Sequence, residues 1–359
     1  MKFQFHVNHG CKKKIYFFLI FLIFAIYFNK KSKKIKVGIF GCRHDLGVGN
    51  FLVKYSLYIK LFELGYQPYI VTTNHKNVNI SFLNQTTDIV IIKNYSDIKE
   101  SDYDILIVNS DQTWRKWDKY FYDCGFLKFA QNWNKLKFVY GASLGFDYWN
   151  FNKEDEEIIA KLIKQFSQIS VRENGSIKLI EKHFGIKPKL VLDPTLIIDK
   201  KYYLKLIKDY RSDMKEKANY IFVYKVSYFN EEMIKFIEKA KKILNYSIYD
   251  YHINNKNLIE DFIYYIKKSK AVITNSFHGT IFSILFRKPF ITFNFKSNGF
   301  ERIKSLSELL GFKNRIVDNN KNIPNISLLT TIPKIDYKIL NKKRRESLDY
   351  ISSNLHLFK

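Results

Sequence analysis

Short apolar runs, each closed by a polar turn, alternate with stretches of helical spacing from residue 36 to the C-terminal third of the chain. Val37–Phe40, Tyr69–Thr72, Ile89–Ile92, Ile105–Val108, Phe138–Ala142, Ile169–Val171 and Leu190–Leu192 read as strands. Phe51–Leu64, Glu154–Phe166 and Gly175–Phe184 read as helices between them. Strands that are apolar throughout must be covered on both faces, and helices between them provide the cover. This predicts a parallel α/β sheet. The pattern restarts at Tyr220–Tyr224 and runs through helices at Glu231–Leu244 and Ile259–Ser269. Strands at Ala271–Thr274 and Phe290–Phe293 follow, with a helical segment at Leu306–Leu310 and a charged helix at Asp336–Leu355. A chain of 359 residues exceeds one ordinary core. The expectation is two Rossmann-like domains, 36–205 and 206–330, facing a cleft. A basic and apolar segment, 1–35, precedes them, and a C-terminal helix, 331–359, follows.

Ile273–Ser283, ITNSFHGTIFS, is the most pointed of these junctions. A strand ends at Thr274, the turn Asn275-Ser276 follows, and helical spacing begins almost at once. His278 and the backbone N–H groups around Gly279 and Thr280 thereby stand at a helix N-terminus, where unpaired donors and the helix dipole favour an anion. Ser276 reads equally well as the N-cap of that helix. Other strand ends carry polar groups where open α/β sheets place ligands. Asn109–Trp114 follows the fourth strand and contains Asp111, Ser143 follows the fifth, and Arg172 the sixth. Asp111 reads as a ligand group or a turn cap. Asn50, with the glycines before it, either binds a ligand or shapes the first turn.

Lys and Arg number 60 against 34 Asp and Glu, a formal net charge of +26. The lysines are spread along the whole chain and no nucleic-acid motif accompanies them, so no nucleic-acid partner is expected. An anionic substrate or an anionic membrane surface suits the charge better. Cys11, Cys42 and Cys124 form no CxxC pair, so neither a disulfide nor a zinc site is expected, and a reducing compartment fits. Ile15–Phe28 is an apolar run of fourteen residues flanked by lysines. As a helix it reaches about 21 Å, short of the ~30 Å hydrocarbon core, so it reads as a short or interfacial anchor.

These pieces together resemble the polysaccharide pyruvyl transferase family. The matching segments are LGVGN (Leu46–Asn50), NSDQTW (Asn109–Trp114), YGASLG (Tyr140–Gly145), SVRE (Ser170–Glu173), VLDPT (Val191–Thr195), Ile273–Ser283 and Gly299–Arg315. They stand in the family's order over about residues 36–317. The resemblance implies a fold similar to the two-domain, glycosyltransferase-B-like enzymes. It implies transfer of a pyruvyl group from phosphoenolpyruvate to hydroxyls of a sugar, in a cell-surface polysaccharide or its lipid-linked precursor, with release of phosphate. No metal and no organic cofactor is expected. His278 would move a proton or hold the phosphate, Arg172 would clamp carboxylate or phosphate, and Asp111 would orient or deprotonate the acceptor hydroxyl. Asn50, Ser143, Ser276, Gly279, Thr280 and Arg302 are further candidates for substrate binding. Relatives often carry an arginine where this chain has Ser276, so the missing cation would come from elsewhere, Arg172 first, or Arg302 or Lys288; Arg302 and Arg315 are weaker candidates than Arg172 for clamping carboxylate or phosphate. Because phosphoenolpyruvate is a cytoplasmic metabolite, the enzyme is expected in the cytoplasm, tethered to the membrane's inner face by residues 15–28 if that segment is an anchor. The competing readings are a nucleotide-sugar-dependent glycosyltransferase of similar fold and a non-enzymatic glycan-binding module.

Overall fold

The computed structural model describes residues 34–42, 47–73, 87–116, 120–210, 219–226, 230–252, 259–294, 299–318 and 325–358. The apolar run Ile15–Phe28 lies outside them. Among the described residues no helix is long and apolar enough to cross a membrane.

Two parallel sheets follow one another along the chain. The first contains β1 (Lys36–Phe40), β2 (Gln67–Thr73), β3 (Ile89–Ile92), β4 (Ile105–Val108), β5 (Leu136–Ala142), β6 (Ile169–Val171) and β7 (Lys189–Leu190), in spatial order β3-β2-β1-β4-β5-β6-β7. Helices α1 (Val48–Glu63), α2 (Phe121–Phe126), α3 (Lys153–Leu162), α4 (Asn174–Phe184) and α5 (Lys200–Leu206) accompany it. The second contains β8 (Tyr220–Lys225), β9 (Ser247–His252), β10 (Ala271–Thr274), β11 (Phe290–Asn294) and β12 (Ile316–Asp318), in order β12-β11-β10-β8-β9. Its helices are α6 (Glu231–Leu244), α7 (Ile259–Lys268), α8 (Phe277–Leu285) and α9 (Phe300–Leu310). The central strands β4 and β10 are buried along their whole length, which is why both read as unbroken apolar runs.

The last helix, α10 (Tyr337–His356), returns to the first sheet. Its Tyr350 hydroxyl donates to the Val139 carbonyl at 2.8 Å, and its Ser347 hydroxyl accepts from the Leu192 N–H at 2.9 Å. One apolar core runs through both halves, joining Ile39, Tyr203, Phe222, Phe282 and Ile351. Separate clusters cover the outer faces of the two sheets. Much of the aromatic content lies here: Phe262 meets Phe222, Tyr224, Tyr251 and Phe282 with ring centroids 5.0–5.8 Å apart.

The cysteine expectation is corrected. Cys42, just past β1, and Cys124, in α2, form a disulfide with Cα atoms 5.1 Å apart. They lie 82 residues apart in sequence. The fold joins them because β4 pairs directly with β1 and α2 follows β4. The cysteine pattern therefore no longer argues for a reducing compartment.

Candidate active site

In each sheet the strand order reverses once, between β1 and β4 in the first and between β8 and β10 in the second. Ligands of open α/β sheets bind in the crevice at such reversals. Asp111 after β4 and His278 after β10 stand at these points, and Asn50, Arg172, Asp193 and Arg302 join them from neighbouring elements. Asn50 comes from the first turn of α1, not from the preceding loop where the spacing placed it. Asp111 follows β4, Arg172 follows β6, and Asp193 follows β7 as the N-cap of a short 3-10 turn. His278 lies in the first turn of α8 and Arg302 in that of α9.

Asp111 and Arg172 form the centre. Asp111 Oδ1 accepts from Arg172 Nη2 at 2.9 Å and from Arg302 Nη1 at 3.4 Å, and Oδ2 accepts from Asn50 Nδ2 at 3.1 Å. Arg302 thus reaches across from the second half to the first. Asp111 has φ +90°, a backbone region that a non-glycine residue occupies only when its surroundings hold it there. Three side-chain donors from three different elements supply that hold.

Arg172 is fully buried, and both terminal nitrogens are engaged: Nη2 with Asp111 and Nη1 with Asp193 Oδ2. Only Nε lacks a hydrogen bond, standing 4.0 Å from Glu173 Oε2. Its guanidinium and that of Arg302 lie 4.9 and 5.2 Å from the Phe277 ring centroid. Arg172 therefore organises two carboxylates and does not present an open two-nitrogen fork to solvent.

Asp193 Oδ1 accepts from the Thr195 backbone N–H at 2.9 Å and from its hydroxyl at 2.5 Å. Burial alone would raise the Asp193 carboxyl. The charges of Arg172 and His278 and the Thr195 donor outweigh burial and hold it well below the usual carboxylate range. His278 Nε2 lies 3.8 Å from Asp193 Oδ2, within electrostatic reach but beyond a direct hydrogen bond, and among the described residues it has no hydrogen-bond partner. The other ring nitrogen packs against Gly49, where a Cβ would overlap Nδ1. The imidazole is thus lodged between α1 of one half and a carboxylate after β7. Glu173 behaves oppositely to Asp193. Burial pushes its carboxyl up, and Arg172, the Ser176 hydroxyl and Arg302 offset that only in part.

Other candidates serve the local fold. Ser276 caps α8, its hydroxyl accepting from the Gly279 N–H at 3.3 Å. Gly279 is needed because a Cβ there would overlap Thr274 Oγ1. The Thr280 hydroxyl faces the second sheet, 2.8 Å from Thr292 Oγ1 and 3.0 Å from the Ser276 carbonyl. The Ser143 hydroxyl accepts from the Gly145 N–H at 3.2 Å and is fully buried. Lys288 donates to the Ser269 carbonyl, and Arg315 to the carbonyls of Leu328 and Thr331, so neither replaces an arginine at position 276. Of the cations expected to serve there, Arg172 and Arg302 reach the site, and both terminal nitrogens of Arg172 are engaged by Asp111 and Asp193.

The residue-by-residue reading passed over Asp193 and Glu173, although both stand inside quoted motifs, VLDPT and SVRE. An acid next to an Arg at a strand end and an acid before Pro at the next strand end were the available signals. The buried side chains of Asn109 and Gln112, beside Asp111, were also unassigned.

The family model described as polysaccharide pyruvyl transferase matches residues 17–297 of the chain. No curated protein matches the sequence. Among solved structures, UDP-GlcNAc 2-epimerase from Methanocaldococcus jannaschii aligns with a TM-score of 0.57 at 13% identity, covering 89% of this chain and 99% of its own. UDP-GlcNAc 2-epimerase from Neisseria meningitidis, bound to UDP-GlcNAc, aligns with a TM-score of 0.52 at 12% identity, covering 89% and 99%. Arabidopsis thaliana UGT89C1, complexed with UDP-L-rhamnose, aligns with a TM-score of 0.50 at 10% identity, covering 91% and 94%. At such identities the likeness is one of fold: two parallel α/β units of the glycosyltransferase-B kind.

Proposed function

The chain belongs to the polysaccharide pyruvyl transferase family, and from that membership we propose that it moves a pyruvyl group from phosphoenolpyruvate to a sugar of a cell-surface polysaccharide or its lipid-linked precursor. The observation that carries this reading is the convergence of His278, Asp193, Asp111 and Arg302, from both halves of the chain, in one charged cluster.

The reaction needs a proton at the methylene carbon of phosphoenolpyruvate, a sugar oxygen bonded to the enol carbon, and stabilisation of the phosphate as it leaves. In the proposed course His278 gives its proton to the methylene while Asp193 orients the ring. The hydroxyl oxygen bonds the enol carbon, its proton passing to a base. Asp111 holds that hydroxyl as hydrogen-bond acceptor. Asp111 already accepts from Arg172, Arg302 and Asn50, so positioning is assigned to it and the hydroxyl proton is not. The carbon–oxygen bond to phosphate then breaks with its electron pair on phosphate, and the second sugar hydroxyl bonds the same carbon to close the ketal, its proton passing to the departing phosphate. Arg302 and the N–H groups of α8 that precede the capped Gly279 are assigned to the departing anion. Arg172 keeps both carboxylates in register. On this reading the site works on the cytoplasmic side, where its donor is made, and the acceptor end meets lipid-linked sugar at an anionic surface.

The test is purified protein with phosphoenolpyruvate and a panel of free and lipid-linked hexosides. The expected result is acceptor-dependent release of phosphate and the mass increment of one pyruvyl ketal. Consumption of a nucleotide-sugar instead, with phosphoenolpyruvate untouched, would establish the glycosyltransferase alternative.

A further inference from the structure

Outward from Asp111 the side chains form a continuous run that neither the fold nor the donor chemistry uses. Gln112, the next residue, has its carboxamide between two glycines, one from each half of the molecule. A Cβ at Gly145 would stand 2.8 Å from Gln112 Nε2, and one at Gly299 would stand 2.7 Å from it. Arg115 Nη1 lies 3.5 Å from Gln112 Oε1, and its guanidinium stacks over the Phe146 ring, 4.2 Å from the centroid. Phe146 in turn lies 4.9 Å from Tyr148, tilted by 32°. Tyr148 ends the run with 55% of its surface exposed, among the most exposed large side chains described.

This order of groups has a chemical meaning. A pyranose ring carries a face of slightly positive C–H groups and a rim of hydroxyls. The C–H face packs on the electron-rich face of an aromatic ring, and the hydroxyls pair with guanidinium and carboxamide groups. An exposed tyrosine beside a half-buried phenylalanine and arginine also matches the residue types that carry recognition energy. Folding alone gives no reason for Tyr148 to present its ring to water.

We propose that Arg115, Phe146 and Tyr148 form an acceptor subsite that holds a pyranose ring, Tyr148 under its C–H face and Arg115 at its hydroxyls, with the buried Gln112 carboxamide positioning Arg115. A glycan seated there extends toward Asp111. The step at Asp111 rests on the pyruvyl-transfer reading; the sugar contact at Tyr148 does not.

The test uses the full chain with methyl gluco-, galacto- and mannopyranosides, which lack an aromatic aglycone that would itself stack. Saturation-transfer NMR should mark the ring C–H protons of one face. Tyr148→Ala should weaken binding roughly five- to tenfold, as expected for one aromatic contact, while Tyr148→Phe retains it. In turnover with a methyl hexoside, Tyr148→Ala should raise the acceptor KM by a similar factor and leave the phosphoenolpyruvate KM unchanged. The proposal is overturned if wild-type protein transfers saturation to no hexoside. It is equally overturned if Tyr148→Ala binds like wild type, or if both KM values rise together. Should phosphoenolpyruvate prove inert while hexosides still bind and Tyr148→Ala still weakens that binding roughly five- to tenfold, the subsite stands and the donor assignment falls.

Discussion

Gly49 is a residue whose importance lies in what it lacks. A methyl group there would occupy the position of His278 Nδ1, so Gly49→Ala must turn the imidazole away from Asp193. The expected outcome is a fall in turnover of tenfold or more with the fold intact, since the clash is with one side chain and general acid–base work contributes about 10²–10⁴-fold. Steady-state kinetics beside a melting curve checks this; unchanged turnover would remove His278 from the mechanism. Arg172 makes a different prediction. It neutralises Asp111 and Asp193 while fully buried, and removing one partner of such a cluster leaves charges uncompensated. Arg172→Met should cost about 3–5 kcal/mol in urea unfolding. His278, Asp111 and Arg172 were legible because each follows an apolar run. That Arg172 is spent on carboxylates was not, because Asp193 lies on another strand end.

At the level of elements, α8 depends on its cap. Ser276→Ala leaves the Gly279 N–H without its acceptor and should destabilise by about 1 kcal/mol, seen as a lower unfolding midpoint. An unchanged midpoint would mean that the hydroxyl serves a ligand more than the helix. The Cys42–Cys124 disulfide closes a loop of 82 residues between β1 and α2. Reduction should cost about 2–4 kcal/mol, measured by denaturation with and without reductant. Glu231–Leu244 and the strands at Ile89–Ile92 and Ile105–Val108 carry enough apolar periodicity to be read to the residue. β9 was missed because Ser247–His252 is an edge strand with polar residues in it, and β12 because it is an edge strand of three residues that ends in an exposed aspartate. The short helices α2 and α5 escaped for the same reason: six and seven residues show too little of a 3.6-residue period.

For the whole molecule, pH acts through two buried carboxylates in opposite directions. Asp193 is held below its unfolded value, so its contribution is present above about pH 4 and is lost as pH falls through the depressed native value. Glu173 is held above its own, so its contribution is complete below about pH 4 and declines as pH rises through the raised native value. With a net charge of +26, acid adds self-repulsion to the Asp193 loss. Stability against pH should therefore show a steep acid limb that Asp193→Asn flattens and a shallower decline at higher pH that Glu173→Gln removes; equal profiles for wild type and both variants would refute this account. The sequence by itself determined the fold class, two restarting α/β units, and most strand-end candidates, because apolar runs and their polar ends are local properties of the chain. Only the tertiary structure decided the rest. It set Arg302 of the second half against Asp111 of the first, committed Arg172 to two acids, and lodged His278 between Gly49 and Asp193. It also joined Cys42 to Cys124. Each of these depends on which strands are neighbours and how two sheets face each other, and local periodicity carries no information about either.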